Sequence, residues 1–408
     1  MASRTLPITF REEETTQLMN YAQAGESASI VGVSGAGKSN LFNHLFEPDV
    51  HRHYLGEAAD GHIFVRINFH YAADFTPRSV YSLILEQFEA LDAISEEESG
   101  RIEQLHEALL NAGDDNLKVQ RYFRRAVRLL LGRNERKLIF LFDQFAEVYR
   151  EADGRLFANL RGLREDYKYR LSYFVFTRQS LQEMALEDSN REEFYELLAS
   201  NLVGLKPYGR KDATELLQRI GRRRDIMIEE AAVDPLLTIS GGHGGLLRAL
   251  FLLAQREDVK LDEGPETAET LLNQPALRAE AHKIWHSLSV EEQRSLAYHA
   301  HGIEYNAADP AVEHLLHVKG ILTDDEVFSP LFAAYVRTQQ AVWEQPLYFD
   351  PQTRRVLVYG KPTENPLTRT ELQIFTILYE RMGEAVSSQE ICEVIWPGID
   401  ADQHLKTN

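Results

Sequence analysis

Apolar and polar positions follow two different periods along this chain, and the change of period marks out its elements. Short apolar runs of strand length recur through the first half. Ala28-Ser29-Ile30-Val31 is one, and His62-Ile63-Phe64-Val65-Arg66-Ile67-Asn68-Phe69 has the alternation and β-branched content of a second. Lys137-Leu138-Ile139-Phe140-Leu141-Phe142 is apolar almost throughout, as a central parallel strand buried on both faces must be. Leu171-Ser172-Tyr173-Phe174-Val175-Phe176 is a fourth. Between these runs the period lengthens to that of a helix. Residues 40–46 read as a helix, Thr76-Pro77 opens another with proline at a permitted first-turn position, and residues 117–131 form a third. That third helix carries Val119, Tyr122, Phe123, Val127, Leu130 and Leu131 on one face and Arg121, Arg124, Arg125 and Arg128 largely on the other. The acidic stretch 93–113, with Glu96-Glu97-Glu98, reads as a solvated helical excursion without chemistry. Strands alternating with helices predict a multidomain α/β chain built on a parallel central sheet.

Beyond Leu205-Lys206-Pro207-Tyr208 the strand signal stops. Residues 212–220 are helical and end on Arg222-Arg223-Arg224, read either as a helix end meeting its own dipole or as a nucleic-acid contact. Residues 236–248 are a glycine-dense turn, Gly241-Gly242-His243-Gly244-Gly245, running into an apolar helix. His243 has no second metal-type ligand near it in sequence. Residues 281–340 form a small helical unit with a capped start at Ser289-Val290-Glu291-Glu292 and a short hairpin before the last helix. From 347 the character changes again: a hairpin over 347–359 turning at Pro351-Gln352-Thr353, then capping signals at Thr368-Arg369-Thr370-Glu371 and Ser387-Ser388-Gln389-Glu390. A further helix is expected from Ala401-Asp402, with under two turns before Asn408. The expected domains are 1–205, 206–275, 276–342 and 343–408.

Chemistry enters at Gly32-Val33-Ser34-Gly35-Ala36-Gly37-Lys38-Ser39, which matches G-x-x-x-x-G-K-[ST] without a mismatch and sits between a strand and a helix. Glycines let the backbone wrap a phosphate with its N–H groups pointing inward. Lys38 reaches the β- and γ-phosphates, and the Ser39 hydroxyl ligates Mg²⁺. The backbone of Gly32, Ser34, Gly35, Ala36, Gly37 and Asn40 completes the expected cradle. A nucleoside triphosphate, as ATP or ADP with Mg²⁺, is therefore the expected ligand. The apolar run at 137–142 ends in Asp143, at the carboxyl end of a strand, where ligands bind in such sheets. Asp143 is the candidate second Mg²⁺ ligand. Arg178, past the tip of the 171–176 strand, is read as a γ-phosphate sensor or as a strand-end arginine in solvent. The arginines on the 117–131 helix are read as a trans-acting finger or as a solvated face.

Composition narrows the class. With 408 residues, several domains are needed; 44% hydrophobic and 26% charged residues are those of a globular chain. No apolar run approaches the roughly 18 residues that span a bilayer, and Met1-Ala2-Ser3-Arg4-Thr5 lacks the layout of a signal peptide, so a cytoplasmic location is expected. A single cysteine, Cys392, excludes an intramolecular disulfide framework and a cysteine zinc site. A net charge of −19 opposes broad non-specific nucleic-acid binding by the whole chain, without excluding a local basic surface.

The loop at 32–39, the strand ending Asp143-Gln144-Phe145, Thr177-Arg178 and the turn at 241–247 together resemble the STAND ATPases, P-loop switches related to the AAA+ class and to the origin-recognition ATPases. The resemblance covers roughly residues 8–340. It implies a P-loop NTPase domain, a helical lid and a winged-helix domain. It further implies ATP- and ADP-dependent packing of these parts, and a homo-oligomer in the ATP state. It places Arg11, in Ile8-Thr9-Phe10-Arg11-Glu12, at the nucleotide edge, with a capped surface helix as the other reading, and His243 in the lid turn. Two departures stand out. Gln144 occupies the place where many relatives carry a second acid that orients water, leaving Glu147 as the nearest carboxylate, so slow hydrolysis is expected of Lys38, Asp143, Gln144, Glu147 and Arg178. Gly244 stands where the lid turn usually has proline. The final segment is similar to the OmpR/PhoB-type winged-helix DNA-binding domain over about 60 residues and stops before most of the recognition helix and wing, which implies a truncated module that binds DNA weakly in this chain. The function implied is transcription regulation by an ATP-dependent switch that answers an upstream protein or ligand. An ATPase acting directly on DNA and a defence sensor whose output is protein contact are the alternatives.

Overall fold

The computed structural model describes residues 6–113, 115–132, 136–184, 188–255, 265–301, 310–324, 326–339, 347–350, 355–358, 361–363 and 367–396. They fall into two compact units, one of residues 1–288 with 295–338, the other of residues 289–294 with 339–408.

The first unit is built on five parallel strands: β1 (Ala28–Val31), β2 (His62–Asn68), β3 (Lys137–Asp143), β4 (Leu171–Thr177) and β5 (Leu202–Gly204). Their order across the sheet is β2-β3-β4-β1-β5. β4 is buried along its whole length and β3 in all but its first residue, which is why both read as nearly unbroken apolar runs. The order has a direct consequence for the site. β4 lies between β1 and β3, so its tip, Thr177-Arg178, stands between the loop after β1 and Asp143 at the end of β3. Parallel register brings these ends level: Val31 pairs with Thr177, Phe142 with Val175, and Asn68 with Asp143. Aromatic rings fill the space behind β3 and β4, with Phe140 stacked on Tyr173 at 5.5 Å and Phe142 on Phe145 at 5.3 Å.

The acidic excursion is better packed than expected. Ser95 and Glu98 form a reciprocal capping box for the helix Glu96–Leu110, and Ile102 and Leu109 are buried in the core. Glu98 is itself buried and accepts from Arg136 at 2.8 Å. The charge run hid a helix whose inner face is anchored. After β5 come the helices Arg210–Arg222, Val233–Ser240, Gly244–Ala254 and Pro275–Trp285, then Pro310–Val318, a hairpin of β6 (Leu322–Thr323) and β7 (Glu326–Val327), and Pro330–Arg337. The closing part of this unit approaches the sheet closely. A side chain at Gly204 would overlap the backbone carbonyl of Val318.

In the second unit β8 (Leu347–Asp350) and β9 (Arg355–Val358) pair antiparallel as expected, and β10 (Lys361–Pro362) adds a third, unanticipated strand. Phe349 meets Phe375 and Tyr379 on the helix Arg369–Glu380. The turn expected at 351–353 and the helix expected from 401 lie outside the described residues.

Candidate functional site

The loop after β1 turns through two glycines that only glycine tolerates: Gly35 at φ +81° and Gly37 at φ +97°. A side chain on Gly37 would also overlap the Tyr208 hydroxyl. Lys38 opens the helix Lys38–His44 and donates to its own loop, to the carbonyl oxygens of Gly32 and, at 2.9 Å, Val33. Its pKa falls to about 7, chiefly because it is buried and next because the Arg178 charge is near, while Asp143 pulls the other way.

Asp143 is 5% exposed. One carboxylate oxygen accepts the Gln144 N–H at 2.9 Å, and the other makes no hydrogen bond among the described residues. Burial raises its pKa, opposed by that hydrogen bond and then by Lys38. A buried carboxylate with a free oxygen, lining the same cleft as the Ser39 side chain, fits a divalent cation and its phosphate ligand. Gln144 has φ +58°, uncommon for a residue with a side chain, and it too faces the cleft.

The glycine-dense turn at 241–245 packs on the phosphate loop itself. Gly241 at φ +58° ends one helix, and His243 caps the next, its Nδ1 accepting the Leu246 N–H at 3.3 Å. The opposite ring nitrogen, Nε2, therefore carries the proton and donates to the Ser34 carbonyl at 2.8 Å. His243 is fully buried, and burial pushes its pKa down to about 4, which keeps this neutral tautomer across ordinary pH. Ser287 completes the grip: its hydroxyl accepts the Ser34 N–H at 3.0 Å while donating to the Ile284 carbonyl at 2.7 Å. Both backbone groups of one loop residue are thus held from segments 209 and 253 residues away. A side chain at Gly35 would come within 2.6 Å of the His243 ring, and one at Gly244 within 3.1 Å of the Gly35 carbonyl.

The cleft has a volume of about 1430 Å³. Of the residues expected to act, Ser34, Gly35, Gly37, Lys38, Ser39, Asn40, Asp143, Gln144 and Arg178 line it together. Gly32 and Ala36, also in the loop, are buried and do not line the cleft. Arg11 is behind it and does not face the cleft. At 3% exposure and φ +46°, it donates to the carbonyls of Ala36 at 2.6 Å and Lys206 at 2.8 Å, pairs with Glu14, and stacks over Tyr208. Glu147 is exposed on the helix Phe145–Glu151 and does not line the cleft.

Several lining residues escaped the sequence reading. Tyr208 accepts from the Asn40 amide at 3.3 Å. Arg219, Arg248 and Glu280 face the cleft from helices far along the chain, and Arg223 and Arg224 from the turn that ends the helix Arg210–Arg222. The buried Lys319, outside the lining, adds to Arg178 and Arg11 a further cation whose charge is felt at Lys38. The run of arginines at 222–224 was the available signal, though the helix-dipole reading absorbed it. No group of three or more His, Cys, Asp or Glu suited to a metal occurs among the described residues, and none of their helices is long and apolar enough to cross a membrane.

Comparison with known proteins agrees with the loop. No curated protein matches the chain in sequence. Among solved structures, it is similar to a Walker-type ATPase of Pyrococcus abyssi, with 16% identity, a TM-score of 0.42, and coverage of 80% of this chain and 95% of that one. It is also similar to the ORC2 protein of Aeropyrum pernix, with 15% identity, a TM-score of 0.42, and coverage of 93% and 96%. Cdc6p of Pyrobaculum aerophilum is a third, with 12% identity, a TM-score of 0.39, and coverage of 93% and 95%. Likeness at these scores does not carry function. The phosphate loop and the acid at the end of β3 both fall inside residues 7–175, the stretch that matches the family described as AAA ATPase domain.

Proposed function

We propose that this chain is an ATP- and ADP-binding molecular switch of the STAND type. The observation that supports this most directly is the double hold on Ser34. His243 and Ser287 bind the loop that is to cradle the phosphates, so nucleotide and the helical segments compete for, or share, one stretch of backbone. A ligand shifts an equilibrium only by its differential affinity for two states, and here the phosphate loop is common to ligand and lid. Lys38 and the loop amides bind the phosphates; Ser39 and Asp143 hold Mg²⁺, which neutralises phosphate charge when bound. Arg178 distinguishes triphosphate from diphosphate. Hydrolysis is slow in this reading, because the residue after Asp143 is an amide and Glu147 points away from the cleft. The segments at 276–342 and 343–408 act as winged-helix modules. The second regulates transcription through DNA, the ATP state is a homo-oligomer, and the chain works in the cytoplasm.

The test is calorimetric titration with MgATP. Lys38→Ala removes a charge-assisted contact to two phosphates and lowers affinity by about 100-fold or more. Unchanged affinity in that variant refutes the site. Size measurement with ADP and then with a non-hydrolysable ATP analogue reads the switch; identical assemblies in both count against it. Turnover stimulated by DNA points instead to an ATPase acting directly on DNA.

A further inference from the structure

Arg178, Arg219, Arg223, Arg224 and Arg248 line the cleft, and none of these five side chains makes a hydrogen bond or ion pair among the described residues. Carboxylates are not scarce, with 63 acidic residues against 44 basic ones. The same helix shows the contrast. Arg210 pairs with Asp234 at 2.9 Å and Arg222 with Glu215 at 2.8 Å, whereas Arg219 and Arg223, which face the cleft, make no ion pair among the described residues. Arg219 is half-buried, and burial followed by the charge of Arg223 weakens its hold on its proton. The fold thus keeps a partly desolvated cation beside a second one, an arrangement that costs free energy until an anion arrives.

Phosphates on the loop do not account for all of this charge. Lys38 and Arg178 lie with the loop and Asp143, while Arg219, Arg223 and Arg224 sit at the end of the helix Arg210–Arg222, beside the apolar Leu216 and Ile220. The cleft, at about 1430 Å³, also exceeds the roughly 300–1,000 Å³ of an ordinary small-molecule pocket. The planar fork of a guanidinium suits a phosphoryl group, which accepts two parallel hydrogen bonds.

We propose that Arg219 and Arg223, with Arg224, bind a second phosphoryl group, separate from those on the phosphate loop. It is carried either on the ribose of the bound nucleotide or by a second small phosphate ester. The first form rests on the nucleotide reading above; the arginine site itself does not.

Calorimetry on the full chain decides it. The titrants are ATP, adenosine 3′-phosphate 5′-triphosphate, and inorganic pyrophosphate added after saturation with ATP. Either the 3′-phosphorylated nucleotide binds about tenfold tighter than ATP, which identifies the ribose source, or pyrophosphate binds to the ATP-saturated protein, which identifies a separate ester. The double variant Arg219→Gln, Arg223→Gln loses that gain and keeps ATP affinity within about threefold. Lysine at both positions restores part of it, which separates loss of charge from misfolding. Pyrophosphate titrated into Lys38→Ala protein reads the arginines without the loop: binding persists there and disappears when the glutamine pair is added. If ATP fails to bind the native chain while pyrophosphate still binds Lys38→Ala, the nucleotide reading falls and the arginine site stands. If ATP binds and neither added phosphate gains anything, the arginine site falls. Equal weakening of every titrant by the glutamine pair also overturns it, as does displacement of pyrophosphate by a single-stranded oligonucleotide but by no small phosphate.

Discussion

The phosphate loop and the paired helices near residue 380 are both announced by small and polar residues, yet they are held in opposite ways. In the loop, Ser34 is fixed by His243 and Ser287, and Ala36 by Arg11, all across long stretches of chain. In the helices Arg369–Glu380 and Ser388–Ile395, each N-terminus is fixed by a capping box from residues three positions apart. Neither helix has a fully buried residue, and Leu378, Met382, Val394 and Trp396 are exposed. One region takes its geometry from tertiary contacts, the other from its own sequence. Substitutions should therefore act at a distance in the first and stay local in the second.

Glycine substitutions break the comparison most sharply. Gly37 and Gly383 both have positive φ, +97° and +91°, but only Gly37 has a neighbour where a side chain would go. Gly37→Ala should destabilise the first unit by about 1–3 kcal/mol from backbone strain alone, with the displacement of Tyr208 added, and should abolish nucleotide binding. Gly383→Ala should cost about 1–2 kcal/mol, confined to the second unit, and leave nucleotide affinity unchanged. Denaturant unfolding followed by calorimetry reads both, and equal effects on nucleotide affinity would dissolve the contrast.

Loosening the hold on Ser34 comes next. His243→Ala and Ser287→Ala each leave one backbone group of Ser34 unsatisfied and should cost about 1–3 kcal/mol. Because both act on one residue, the double variant should depart from additivity by at least about 0.5 kcal/mol. Strict additivity would show that Ser34 is not the shared point.

Removing a local cap should do less. Ser387→Ala deletes the hydroxyl that accepts the Glu390 N–H at 3.2 Å and should cost about 1 kcal/mol in the second unit only. A matching loss of MgATP affinity would mean that the second region is not as self-contained as its capping suggests.

The smallest signal is a proton. Burial and the Arg178 charge depress Lys38 to about 7, so the lysine is mostly neutral at pH 8. Phosphates favour its charged form. Nucleotide binding at pH 8 should then take up close to one proton, a contribution that fades toward pH 6, where Lys38 is already charged. Calorimetry in buffers of different ionisation enthalpy measures it, and no buffer dependence at pH 8 would contradict the assignment.

Much of this site was legible because its signals are local. The loop, β3 ending on Asp143 and β4 ending before Arg178 each announce themselves within about ten residues. Glu147 and Arg11 do not line the cleft with the others, and one reason hid this: sequence gives their distance along the chain and not the direction in which they face. Glu147 lies on the outward side of its helix, and Arg11 turns at φ +46° beneath the loop. Arg222, Arg223 and Arg224 were read as a helix end meeting its dipole or as a nucleic-acid contact, and Arg219 was not singled out, because sequence shows charge without showing where counter-ions lie.

By itself, then, the sequence determined the phosphate loop, the parallel α/β core and the capped helices, since each depends on residue type and on spacing within a turn or a strand. Only the tertiary structure decided that a histidine and a serine more than two hundred residues downstream close on Ser34. It alone also placed five arginines around one cleft with no ion pair among the described residues. Those arrangements arise from the packing of distant helices, whose approach is set by the whole buried surface and by no local pattern.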